Sequence, residues 1–180
     1  MTSGTSPAAA RARRSRAVVV LVALTAASID LVAKAVSEAR LADSTVDLGL
    51  LQLRLGYNSG VAFSMGDKLP VGVIVAITTV ISIALAAYVW HRAPRAGWVE
   101  RIAGGAVLGG AVANVIDRAR DGVVTDYLHT GWWPTFNLAD TFLVTGFIVI
   151  AVLQARPERT VAEDGKSTAA HPANTDAGDF

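Results

Sequence analysis

Two aspartates, Asp126 and Asp140, fall in a polar segment between two apolar runs, within the string from Asn114 to Asp140, NVIDRARDGVVTDYLHTGWWPTFNLAD. A carboxylate at a membrane boundary is costly, so a close pair with apolar neighbours points to function. If the intervening loop folds back so that the two meet in a poorly hydrated cleft, both cannot ionise comfortably and one pKa rises. The pair then holds a single proton and titrates as a unit. Its ionised member can take a proton from water while its protonated member donates to a scissile carbonyl oxygen. That is peptide hydrolysis without metal or covalent intermediate. Asp140 also has a plain structural use, because an acid in the first turn of a helix complements the helix dipole and can cap.

Other polar residues gather near this pair. Asp30 and Lys34 are four apart and share a helix face, so they can pair, either as a snorkelling couple that ends a helix or as part of the chemistry. Asn58 and Gly60, in YNSGVAFS (Tyr57 to Ser64), suit a tight turn. Asn58 has the alternative of offering its amide to a substrate backbone or a carboxylate. Asn114 and Asp117 lie one turn apart, Asp117 and Arg118 can form a local ion pair, Gly122 permits a turn, and Asn137 precedes Asp140.

Three other chemistries compete for these residues. Asp126, His129 and Asp140 offer metal-ligand types, but His129 stands in a loop rather than at a helical His spacing. Ser59 or Ser64 with Lys34 has the residue types of a serine mechanism, although a lysine beside Asp30 stays protonated and makes a poor base. A proton-coupled carrier also wants buried carboxylates, yet these cluster at one face instead of the bilayer midplane.

The elements that must position these groups are membrane helices. Of 180 residues, 52% are hydrophobic and 17% charged, too apolar for an ordinary soluble domain. A net charge of +1 offers no extended basic surface for nucleic acid. The absence of cysteine removes disulfides, thiolate metal sites, cysteine nucleophiles and lipidation on cysteine.

Arg11, Arg13, Arg14 and Arg16 precede an apolar run from Ala17 to Ile29, with small residues Ala26, Ala27 and Ser28 near its end. A cleavable signal peptide has this form. Continued through Val36, the run becomes long enough to span a bilayer, and an uncleaved helix is the preferred reading. Further spans are predicted from Leu69 to Trp90, from about Val99 to Ile116, and from Leu138 to Ala155. In the third, Gly105 and Gly109 are four apart and let another helix backbone approach closely, which makes that helix central. Four spans put both termini on one side, and the clustered arginines assign that side to the cytoplasm. The loops at about 37–68 and 117–137 then lie outside. Alternation around Leu48 to Tyr57, punctuated by Gly49 and Gly56, predicts small strands lying over the bundle. Residues 1–16 form a basic cytoplasmic extension, 17–155 the membrane domain, and 156–180 a disordered cytoplasmic tail.

Together, Asp30-x-x-x-Lys34, the NSGVAFS string (Asn58 to Ser64), the string from Asn114 through Asp117-Arg118 to VVTDY ending at Tyr127, and FNLAD (Phe136 to Asp140) resemble lipoprotein signal peptidase, also called signal peptidase II. The resemblance runs from about residue 17 to 155. It implies an all-α integral membrane protein, a four-transmembrane-helix bundle with a small extracytoplasmic β-cradle, in the bacterial plasma membrane. It also implies an aspartyl endopeptidase that removes the signal peptide from prolipoproteins just before a diacylglyceryl-modified cysteine. By motif, Asp126 and Asp140 would be the catalytic dyad. Asn58, Gly60, Asn114, Arg118 and Asn137 would hold the dyad and substrate, supported by Asp30 and Lys34. No metal or cofactor is implied; the partners would be the lipidated prolipoproteins and membrane lipids, with the chain a monomer that binds no nucleic acid. Where the family commonly has Gly-Asn, this chain has Ala113-Asn114, which keeps the asparagine. Trp132 and Trp133 have two readings, anchors of their loop among head groups or simple interfacial belt residues, and the second is preferred. The N-terminal extension and the tail fall outside the resemblance and are expected to be dispensable for catalysis.

Overall fold

Pro7–Leu41 forms one unbroken helix, α1. At the α-helical rise its 35 residues reach about 52 Å, well beyond the roughly 30 Å of a bilayer's hydrocarbon. It is therefore longer at both ends than the apolar run suggested. Pro7 suits a first helical position, where no N–H is needed, and no glycine or further proline interrupts the stretch to Leu41. This computed structural model describes residues 6–59 and 70–155; Gly60, Ser64 and the segment after 155 lie outside the described residues.

The buried positions of α1 include Val19, Ala26, Ala27, Asp30, Lys34, Ser37 and Leu41, a stripe of helical period rich in small and polar residues. Leu21, Leu24, Ile29, Val32 and Val36 are exposed. Large apolar side chains outward and small or polar ones inward is the pattern of a helix solvated by lipid, because packing rather than hydrophobicity drives helix association there.

Three more helices are long and apolar enough to cross a membrane: α2 (Val71–Arg92), α3 (Trp98–Asp121) and α4 (Leu138–Ala155). The bounds of α4 match the sequence expectation. α3 runs past Ile116 through Asp117 and Arg118 and stops at Gly122, whose φ of +76° places it in the left-handed region that favours glycine at a helix end. α3 is the central helix, packed chiefly on α1 and α4. A Cβ on Gly109 would collide with the Ala23 carbonyl and Ala26 of α1, and one on Gly110 with the Ala139 carbonyl of α4. A Cβ on Gly105 would likewise meet Val22 and the Val19 carbonyl of α1, so Gly105 and Gly109 make the close approach their spacing anticipated, and Gly110 adds a second one toward α4.

Three strands form one antiparallel sheet in the order β1 (Val46–Asp47), β2 (Gln52–Asn58), β3 (Val124–His129). β1 and β2 realise the expected alternation. β3 was not foreseen: its first four residues are all buried, so no period-2 pattern marks it. Gly56 pairs with Asp126 and Asn58 with Val124, which puts Asn58 diagonal to Asp126 on the same face. The observed architecture is an all-α integral membrane bundle of four helices carrying a small sheet.

Candidate active site

The site forms where β3, the first turn of α4 and the C-terminal parts of α1 and α3 converge. Strand β3 carries Asp126. The chain then returns through a bridge between Leu128 and Phe136, in which each main-chain N–H donates to the other's carbonyl, at 2.8 and 2.9 Å. That return delivers Asn137 beside Asp126 and starts α4 there.

The first N–H groups of a helix lack intrahelical acceptors. At α4 two other elements and the residue just before the helix supply them. The Leu138 N–H donates to the Tyr127 hydroxyl at 3.3 Å, the Ala139 N–H to Asp30 Oδ1 at 2.8 Å, and the Asp140 N–H to Asn137 Oδ1 at 2.9 Å. Asp140 Oδ2 in turn accepts from the Asn137 N–H at 3.4 Å, a reciprocal cap. The capping use of Asp140 is thus real, and it coexists with its place beside Asp126.

Asn137 is fully buried and joins the two aspartates. Its Nδ2 donates to Asp126 Oδ1 at 2.8 Å while its Oδ1 holds the Asp140 N–H. Asn58 also hydrogen-bonds Asp126 through its side chain. Asn114 donates from Nδ2 to Asp140 Oδ1 at 2.9 Å. Burial, then the nearby Asp140 charge, push the Asp126 carboxyl up to about 7, against the opposing pull of the Asn58 and Asn137 amides and the Lys34 charge. Burial likewise raises the Tyr127 phenol above its usual range, so it stays neutral.

Lys34 does not snorkel. It is buried and reaches Asp30 Oδ2 at 2.9 Å, Asp117 Oδ2 at 3.2 Å and Asn114 Oδ1 at 2.8 Å. Two carboxylates and an amide oxygen therefore compensate one ammonium. Among the described residues no direct ion pair joins Asp117 to Arg118: consecutive helical residues point in different directions, and Asp117 turns inward to Lys34. Arg118 instead interacts electrostatically with Asp140, Asp126 and Asp117, and its buried Nε has no hydrogen-bond partner among the described residues.

Two supporting residues escaped the sequence reading. Thr125 donates its N–H to Asp117 Oδ2 and its hydroxyl to Glu38, both at 2.7 Å, tying β3 to α3 and α1. Thr125 lay in the VVTDY string, but only recognition of β3 could have shown that its backbone needed an acceptor. His129 is three residues from Asp126 on a strand, so the two side chains leave opposite faces. Among the described residues, the acidic or His groups with donor atoms within 4.8 Å of one another are Glu38, Asp117 and Asp121, not Asp126, His129 and Asp140. Beside Asp140 lies a cleft of about 370 Å³, lined by Trp132, Trp133, Phe136 and Val144, mostly apolar.

Several known proteins are similar to this chain. A family model described as signal peptidase (SPase) II matches residues 22–156. A lipoprotein signal peptidase of Syntrophomonas wolfei is 39% identical over 106 residues, 58% of this chain and 68% of that protein. One from Rhodococcus jostii is 37% identical over 111 residues, 58% of this chain and 54% of that protein. A bacterial membrane enzyme solved by the in meso method at 1.9 Å superposes with a TM-score of 0.65 at 25% identity, covering 77% of this chain and 92% of the other. With the family model matched over most of its length and its four apolar helices in place, the chain belongs to the signal peptidase II family of membrane peptidases.

Proposed function

We propose that this peptidase removes the signal peptide from diacylglyceryl-modified prolipoproteins, cutting before the lipidated cysteine with a water activated by Asp126 and Asp140. The observation that carries this is the single buried amide of Asn137, which contacts both aspartates. A group so placed holds the two acids in mutual register.

The environments of the two acids divide their roles. Asp140 sits in the first turn of α4 and accepts from Asn114, whose carbonyl is itself polarised by the Lys34 ammonium. Helix dipole and polarised donor oppose the cost of burying a charge on Asp140, and we assign it the ionised role. Asp126 lies in a buried strand with its carboxyl raised to about 7 and holds the shared proton. Water attacks the scissile carbonyl carbon, gives a proton to Asp140, and Asp126 protonates the carbonyl oxygen. When the C–N bond breaks, the proton on Asp140 passes to the leaving amine, and Asp126 recovers its own from the collapsing diol. Arg118 Nε, with no described partner, is placed to donate to a substrate carbonyl.

A lipid-anchored substrate reaches the dyad from the side. The apolar cleft between Trp132, Trp133 and Val144 ends at Asp140 and fits such an approach. The clustered arginines favour an N-in, C-in topology, which puts the dyad at the extracytoplasmic face with the sheet as a cradle over the membrane. In this reading Asn58, Asn114, Asn137, Asp30 and Lys34 position the dyad and the chain acts as a monomer, with residues 1–16 and 156–180 dispensable.

The test follows cleavage of a diacylglyceryl prolipoprotein by gel shift in liposomes, for the wild type, Asp126→Asn and Asp140→Asn, with and without chelator. Both variants should fold and fail to cut, with the chelator inert. Near wild-type cleavage by either variant would overturn the dyad; chelator sensitivity would point to a metal mechanism.

A further inference from the structure

The end of the bundle opposite the aspartates holds a second concentration of charge. Arg11 and Arg14, in the first turns of α1, face Arg95 in the α2–α3 turn and Arg101 in the first turn of α3 across a cleft of about 710 Å³. The buried Ser15 and the exposed Val18 also line it, and among the described residues no acidic one does. Among the described residues none of the four guanidinium groups has an ion-pair partner; the nearby Glu100 is taken by Arg92 at 3.1 Å.

The depth of this cleft is set by its neighbour. The Arg16 guanidinium stacks 4.8 Å over the Trp90 ring and donates from Nε to the Trp90 carbonyl, and Trp98 is exposed at the same end. Tryptophans of this kind lie among lipid head groups. The general excess of arginine on a cytoplasmic side explains why such charges are present. It does not explain why two chain segments far apart in sequence bring four of them around one concavity with no acid among the described residues. Like charges so gathered repel unless an anion is shared. At that depth the anion in greatest supply is a phosphodiester, whose oxygens match the guanidinium fork. Val18, apolar and exposed, also lines the cleft and gives acyl chains a surface to rest on, a feature without use for a free anion.

We propose that this cleft binds the head-group phosphate of an anionic phospholipid of the adjoining leaflet, with its acyl chains leaving past Val18. The lipid then adds a bridge between the two walls, α1 and the α2–α3 turn, beside the core contact that joins Val19 to Ala93.

Native mass spectrometry of the full chain in detergent, titrated with phosphatidylglycerol or phosphatidylcholine, tests this. Each cleft arginine lost should weaken phosphatidylglycerol binding about fivefold, so Arg95→Gln by about fivefold and the double variant Arg11→Gln, Arg14→Gln by about 25-fold. Arg13→Gln removes the same charge from the same helix but outside the cleft, and should cost less than about twofold. Cleavage activity, located at the other end, should be unchanged in all three and reports that each is folded. Equal losses for Arg13→Gln and Arg95→Gln would reduce the effect to diffuse attraction and overturn the site. So would phosphatidylcholine bound as tightly as phosphatidylglycerol, or displacement of the lipid by inorganic phosphate at equal concentration.

Discussion

The ammonium of Lys34 donates a 2.8 Å hydrogen bond to Oδ1 of Asn114, joining α1 to α3 in the buried interior. Because Asn114 passes a 2.9 Å hydrogen bond on to Asp140, a charge on α1 acts on an acid at the start of α4. Replacing Lys34 by Met leaves Asp30 and Asp117 buried without a counter-charge, and breaking a buried pair in this way costs about 3–5 kcal/mol. Thermal unfolding in detergent should register that loss, and Lys34→Met with Asp117→Asn should recover part of it. A single variant within about 1 kcal/mol of wild type would mean that the ion cluster contributes nothing net.

Asn137 has two separable duties, capping α4 and bridging the acids. Asn137→Ala loses both, with about 1 kcal/mol of stability for the cap and a roughly 100-fold fall in kcat for the lost donor. Asn137→Ser restores a cap but is too short to reach Asp126. It should unfold near the wild-type temperature yet remain as slow as the alanine variant. A serine variant with wild-type kcat would refute the bridging role.

The pH dependence follows from Asp126. Its carboxyl titrates near 7 in the folded protein and at an ordinary 3.8 when unfolded, so between these values the folded state holds more protons. Stability from this group is therefore complete below about 4 and lost as the pH rises through about 7. Unfolding temperature measured from pH 4 to 8 should decline in the wild type more steeply than in Asp126→Asn. Cleavage should fall on the alkaline side with an apparent pKa near 7, since the acid must stay protonated. An activity plateau extending well past pH 8 would assign the proton elsewhere.

Gly110 and Gly146 both lie where α3 and α4 touch, but at different heights. A methyl at Gly110 meets the carbonyl of Ala139, the residue before Asp140, whereas one at Gly146 meets Val107 and the carbonyl of Ala103. Overpacking costs about 1–3 kcal/mol at either position. Gly110→Ala should also lower kcat by about tenfold or more, because small displacements of a catalytic group are expensive, while Gly146→Ala leaves turnover per folded molecule unchanged. Equal turnover in the two variants, measured at matched folded fraction, would disconnect helix packing from the dyad.

The amino-acid sequence by itself determined the spans and the cast of polar residues. A bilayer imposes its thickness on each helix separately, so Leu138–Ala155 was legible from one apolar run, and the glycines of α3 announced a close-packed central helix. The longer reach of α1 and α3 was hidden because Arg11 to Arg16 and Asp117 to Asp121 are largely polar and fall outside the apolar window. Only the tertiary structure decided who meets whom. β3 carries no alternation because both its faces are covered; Asp117 turns to Lys34 rather than to adjacent Arg118; and α4 is capped by Asp30 of α1, Tyr127 of β3 and its own preceding Asn137. Periodicity is a local property of the chain, whereas the cost of leaving a buried charge or N–H unpaired is met by whichever partner packing brings near.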